Sequence, residues 1–129
     1  MVINSLRDIA GCTPWRYSST NTYNDQIQHF ITIITVDSDK VLQLTHLDWR
    51  VYEGSSTGVF RISDSDASFV CTLYTAYQIQ SGSSLDMMLN VFLDKNISLY
   101  GVVQANATPF TLALNFHGLM YKLGEGVLD

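Results

Sequence analysis

Between residues 108 and 122 apolar side chains recur at every second position. Phe110, Leu112, Leu114, Phe116 and Met120 form the series, Gly118 completes it, and Thr111, Ala113, Asn115 and His117 fall between. A period of two sends alternate side chains to opposite faces of a strand, so this stretch predicts a half-buried strand. Pro109, Gly118 and the Thr and Phe content argue against the helix that Leu, Ala and Met alone would tolerate. A strand this close to the C-terminus needs a sheet, built by the preceding chain, to complete.

The preceding chain predicts that sheet. Residues 29–36, HFITIITV, are β-branched almost throughout and read as a central strand. Residues 41–52 read as a long strand whose apolar phase slips. Leu42 and Leu44 share one parity, while Leu47, Trp49 and Val51 share the other. Such a slip predicts a bulge or bend near Thr45 and His46, of the kind that lets a strand cross between the sheets of a sandwich. Further strands are expected at 59–63, at 68–79 (Phe69, Cys71, Leu73, Thr75, Tyr77 and Ile79 on one face), at 87–93, and at 97–104 around Gly101. Polar breaks at 37–40, 64–66 and 94–96 read as turns, the first as a hairpin. This makes seven strands, or eight if the N-terminal segment adds one, and no helical pattern exceeds two turns. The expected fold is all-β, an antiparallel β-sandwich of jelly-roll type, with a closed up-and-down barrel as the second choice.

Residues 1–27 differ from the rest, being rich in Ser, Thr, Asn and Tyr with Pro14 among them. They are expected to form an N-terminal arm or edge segment, with residues 28–129 as the sandwich domain. Trp15, Tyr17 and Tyr23 suggest that the arm docks, either on the sandwich edge of its own domain or on a neighbouring subunit or ligand.

Composition narrows the partners. The 129 residues fit one domain with a core of its own. Only 15% are charged while 47% are apolar, so Ser, Thr, Asn and Gln must cover much of the surface. Such groups cost less to desolvate than Lys or Glu, which suits a surface that meets other chains. The net charge is −5 and the seven Lys and Arg are scattered, which argues against nucleic acid and against an anionic membrane surface as partners. No apolar run approaches the ~20 residues of a membrane span. The first ten residues lack the pattern of a secretory signal. Cys12 and Cys71 do not define a disulfide by spacing, and Cys71 is expected as a buried free thiol.

The candidate chemistry is sparse. His29, His46 and His117 share no metal-ligand spacing. His46-x-Asp48 puts two donors on one strand face, but two do not define a zinc site and Arg50 follows on the same face, so a solvated polar stripe is expected and no metal or cofactor is assigned. Asp37/Asp39 and Asp64/Asp66 read as turn chemistry, since neither pair has the further acidic ligand of a calcium loop. No G-x-S-x-G occurs and neither Cys has a His beside it, so the chain is not expected to be an enzyme. Trp15, Arg16 and Tyr17 suit either stacking on a glycan or anchoring a protein partner.

The final strand, from Leu112 through Phe116 and Gly118 to Leu123, resembles the closing strand of trimeric jelly rolls. Tumour necrosis factor-like cytokines, complement-type globular heads and phage or viral jelly rolls share its aromatic-x-Gly pattern. The resemblance implies that architecture and threefold assembly. Gly118 would then mark a close backbone approach, either to a symmetry mate or within the chain at a bulge. Together these readings predict a virion or phage structural protein (capsid, decoration, spike or tail component), assembled in the host cytoplasm with copies of itself and other virion proteins. Trp15, Arg16, Tyr17, Tyr23 and Gly118 are its candidate interface residues. The alternative is a carbohydrate- or receptor-binding module.

Overall fold

The computed structural model describes residues 9–56, 60–63, 72–76 and 79–124. Alternating apolar and polar side chains give strands over most of this length: β1 (Ile9–Tyr23), β2 (His29–Thr35), β3 (Lys40–Ser56), β4 (Phe60–Ser63), β5 (Thr72–Ala76), the two-residue β6 (Ile79–Gln80), β7 (Ser84–Leu93), β8 (Ser98–Val103) and β9 (Ala107–Leu123). Among the described residues there is no helix. One sheet runs β1-β9-β3, continued by β7 along most of β3 and by β6 at its end; the other runs β2-β8-β4-β5. All pairings are antiparallel. Apart from β6, eight strands divide between two facing layers; the β4–β5 connection stays within its sheet and the others pass from one layer to the other. This is a jelly-roll sandwich.

The strand over residues 107–123 lies in the middle of its sheet, between β1 and β3. Phe110, Leu112, Leu114 and Phe116 are buried, and Thr111, Ala113, Asn115 and His117 between them face outward. They meet Leu42, Leu44, Leu47, Trp49 and Val51 of β3 and, from the opposite sheet, Ile33, Leu99 and Val103 in one core.

Two expectations need correction. Residues 29–35 do form a strand, but among the described residues β2 pairs with β8 alone and lies at the edge of its sheet. Its β-branched residues are half used, with Ile33 buried and Phe30 exposed. The break at 37–40 is a turn, closed by Lys40 N–H donating to the Asp37 carbonyl at 3.1 Å. It joins strands of opposite sheets, so it is not a hairpin. The expected strand at 68–79 appears as β5 and β6; the turn at 64–66 and the thiol of Cys71 lie outside the described residues.

The phase slip in β3 is a bulge. Leu44 lies opposite Gly118 and His46 opposite His117, leaving Thr45 as the extra residue. Thr45 Oγ1 donates to the His117 carbonyl at 3.2 Å. The bulge restores the inward phase, so Leu42 and Leu44 before it and Leu47, Trp49 and Val51 after it are all buried in the same core. The strand therefore stays in one sheet and does not cross to the other.

The bulge also explains Gly118. A Cβ there would lie 2.4 Å from the Gln43 carbonyl oxygen and 3.2 Å from Leu42 Cδ1. The close backbone approach expected at this residue is made within the chain, by β3. Gly101 in β8 is different, because a Cβ there would meet nothing nearer than 3.8 Å.

The chain of β1 packs its inner face on the same core. Trp15, Tyr17 and Tyr23 are half-buried against it. The Tyr23 ring lies 5.0 Å from that of His29 and 6.3 Å from that of Phe110. Burial, with a smaller contribution from Tyr17, pushes its phenol up from 10.0 to about 12.

Two predictions follow from this packing. Gly118→Ala forces backbone apart and should lower stability by about 1–3 kcal/mol, whereas Gly101→Ala should be neutral or slightly stabilising; urea unfolding of the two variants compares them. The raised Tyr23 value means that the unfolded chain releases its phenolic proton first. That contribution to stability is present below about pH 10 and is lost as pH rises toward about 12. Tyr23→Phe should flatten this alkaline loss, measured as denaturation midpoints across the same interval.

Candidate functional site

The five candidate interface residues do not form one patch. Trp15 lies opposite Gly118, Tyr17 opposite Phe116 and Tyr23 opposite Phe110, all on the inward face of β1 or beside it. The rings of Trp15 and Tyr17, for which docking on their own sandwich, on a neighbour or on a ligand was open, are partly packed on the core of their own domain. Arg16 alone of the Trp15-Arg16-Tyr17 group points outward, in register with His117. The exposed thiol of Cys12 is on the same outward face.

The outer face of the β1-β9-β3-β7 sheet carries a concentration of polar groups that the chain order hides. Register places Arg16, His117, His46 and Met88 in one cross-strand row, and Ser18, Asn115, Asp48 and Asp86 in the next. The His46 and His117 rings are 5.4 Å apart. His46 Nδ1 lies 3.7 Å from Asp48 Oδ2, and its Nε2 is hydrogen-bonded to Asp86 Oδ1. Asn115 Nδ2 donates to Asp48 Oδ1 at 2.8 Å, and Ser18 Oγ donates to Asn115 Oδ1 at 2.5 Å. Four strands thus contribute to one connected network.

Its environment is neither core nor open water. The side chains of His46 and Asp48 are 26% and 33% exposed, while Asp86 at the edge is 79% exposed. A shallow depression beside them is lined by Asp48, Arg50, Tyr52, Ser84 and Asp86 among others. Arg50 lies 5.9 Å over the Tyr52 ring. On the β7 side Met88 (80% exposed) and Phe92 (57%) give the face an apolar border.

The sequence reading found the His46-x-Asp48 pair and stopped at two donors. The third, His117, is 71 positions away from His46 and reaches it only through the β3–β9 register. Asp86 arrives through β7, and Asn115 through the same alternation that defines β9. The available signal was the phase slip at Thr45, which turns His46 and Asp48 to the outer face; nothing in the sequence pairs that slip with Gly118.

The second feature of this sheet is its edge. β1 is 15 residues long, and among the described residues it pairs with β9 alone. It contains one charged residue, Arg16. Edge strands are usually guarded by charge, bulges or brevity, because their free N–H and C=O groups template further pairing. This one is long and sparsely charged, interrupted by a register shift between Ile9 and Gly11 at its start and by Pro14.

No protein-family model matches the sequence, and no curated protein matches it. Solved structures do share its fold. The chain is similar to one from Bacillus endospore appendages, described as a novel family of disulfide-linked pili, with a TM-score of 0.57 and 10% identity over 96% of this chain and 99% of that one. Weaker similarities are to a chain of the cyanophage Pam1 capsid (TM-score 0.41, 10% identity, 96% and 93% covered) and to VP2 of an infectious bursal disease virus subviral particle (0.38, 10%, 94% and 35%). At such identity the likeness to the appendage protein is one of fold, a jelly-roll sandwich matched from end to end.

Proposed function

We propose that this chain is a structural subunit that assembles with copies of itself through the edges of its sandwich, as a component of a virion or of an extracellular appendage. The observation that carries the reading is β1, a long edge strand that among the described residues has no partner on one side and is almost without charge. Pairing a second chain against such an edge satisfies its backbone groups at little desolvation cost. The low charge of the whole sequence supports the same reading. So does the end-to-end likeness of fold to an appendage protein.

The virion form of the proposal covers a capsid, decoration, spike or tail component, with the threefold assembly implied by the resemblance of β9. The appendage form calls for an open, head-to-tail contact that extends into a filament. The chemistry at the edge is common to both; they differ in the symmetry of the product. Because the matched pili are disulfide-linked, the exposed thiol of Cys12 near the start of β1 is assigned as the group that, under an oxidant, forms a disulfide with Cys12 of a second copy and joins subunits in pairs. No catalytic role is proposed.

Light scattering coupled to size exclusion tests the assembly. The purified chain should run as a defined oligomer or polymer. Thr13→Lys with Thr20→Lys, both at exposed positions of β1, should release monomers with an unchanged circular-dichroism spectrum. A wild-type chain that stays monomeric at all concentrations contradicts the proposal, as does a double variant that assembles undiminished. On non-reducing gels, covalent dimers formed under oxidation should vanish in Cys12→Ser; their persistence would show that Cys12 is not the link.

A further inference from the structure

We propose that His46, Asp48 and His117 bind a divalent transition-metal ion, Zn2+ foremost, on the outer face of the β1-β9-β3-β7 sheet. Each offers one donor atom, and these atoms all lie within 4.8 Å of one another. A point equidistant from three atoms at that separation is about 2.8 Å from each, so a contraction of about 0.7 Å reaches the ~2.1 Å bonds of zinc. Side-chain rotation is the movement this requires, since all three residues sit on adjacent strands whose backbones are held by the ladder. Two imidazoles and one carboxylate form a donor set that suits zinc and its neighbours in the first transition row, and not calcium or magnesium.

The surrounding hydrogen bonds favour ligation. In the neutral tautomer with its proton on Nε2, His46 donates to Asp86 and keeps a free lone pair on Nδ1, which faces Asp48. A carboxylate behind a ligating imidazole fixes its tautomer and ring orientation. Asp48 is oriented in the same way: Asn115, itself held by Ser18, occupies Oδ1 and turns Oδ2 toward His46. Each of these two ligands thus has its own supporting partner. The position facing solvent is left for water or another exogenous donor.

Isothermal titration of the tag-free chain with Zn2+ tests the site. One ion per chain is expected, with a rise in Tm of roughly 5 °C or more at a hundredfold excess over Kd. His46→Ala and His117→Ala should each abolish binding. Asp86→Asn should weaken it about tenfold or more while the fold is kept. His29→Gln, which removes the remaining histidine, should leave it unchanged. Co2+ should give visible absorption bands that Zn2+ displaces. Absence of zinc binding overturns the proposal, as does binding that survives loss of His46 and His117. Neither result bears on whether the chain assembles, so the two proposals fail separately.

Discussion

The pairing of β3 with β9 is the constraint from which the rest of the molecule follows. Each is a 17-residue strand, and together they run through the middle of their sheet, with β1 on one flank and β7 on the other. Most of the core from this layer comes from these two strands. Their register is kept by one local device, the bulge at Thr45 pressed against Gly118. Without the extra residue, either Leu42 and Leu44 or Leu47, Trp49 and Val51 would turn outward, because a one-residue slip exchanges the faces of a strand.

The same device shapes the outer surface. By returning β3 to phase, it places His46 opposite His117 and Asp48 opposite Asn115. A requirement of core packing thus gathers polar side chains from four strands on the other face. The edge strand β1 is held from inside by Trp15, Tyr17 and Tyr23, which anchors it while its far side is unpaired among the described residues. Inner anchoring and outer openness are what an edge needs if it is to pair with another chain without unravelling its own.

Much of the fold was legible in the alternation. The closing strand, the slip near Thr45 and the positions of most turns are local patterns, and a period of two reports them directly. The reading stumbled where one pattern serves two structures. A phase slip fits a strand that crosses between sheets as well as one that bulges and stays; Gly118, some 70 residues on, decides between them. Residues 29–35 are apolar on both parities, which fits a central strand and also an edge strand with Phe30 exposed. In β1 the aromatic side chains alternate with polar ones, but the polar composition masks that period, so residues 1–27 read as either an arm or an edge segment. The His46, Asp48 and His117 cluster depends wholly on register, and a single sequence carries no record of which strands are neighbours.

The β3–β9 register is most directly tested by nuclear Overhauser contacts between backbone protons in the labelled protein. Contacts linking Leu44 to Gly118 and His46 to His117, with Thr45 facing no residue of its own, are the predicted result. A continuous ladder, with Thr45 paired to His117 and His46 to Phe116, would contradict the account: it would turn His46 inward, disperse the polar network and leave Gly118 without a reason.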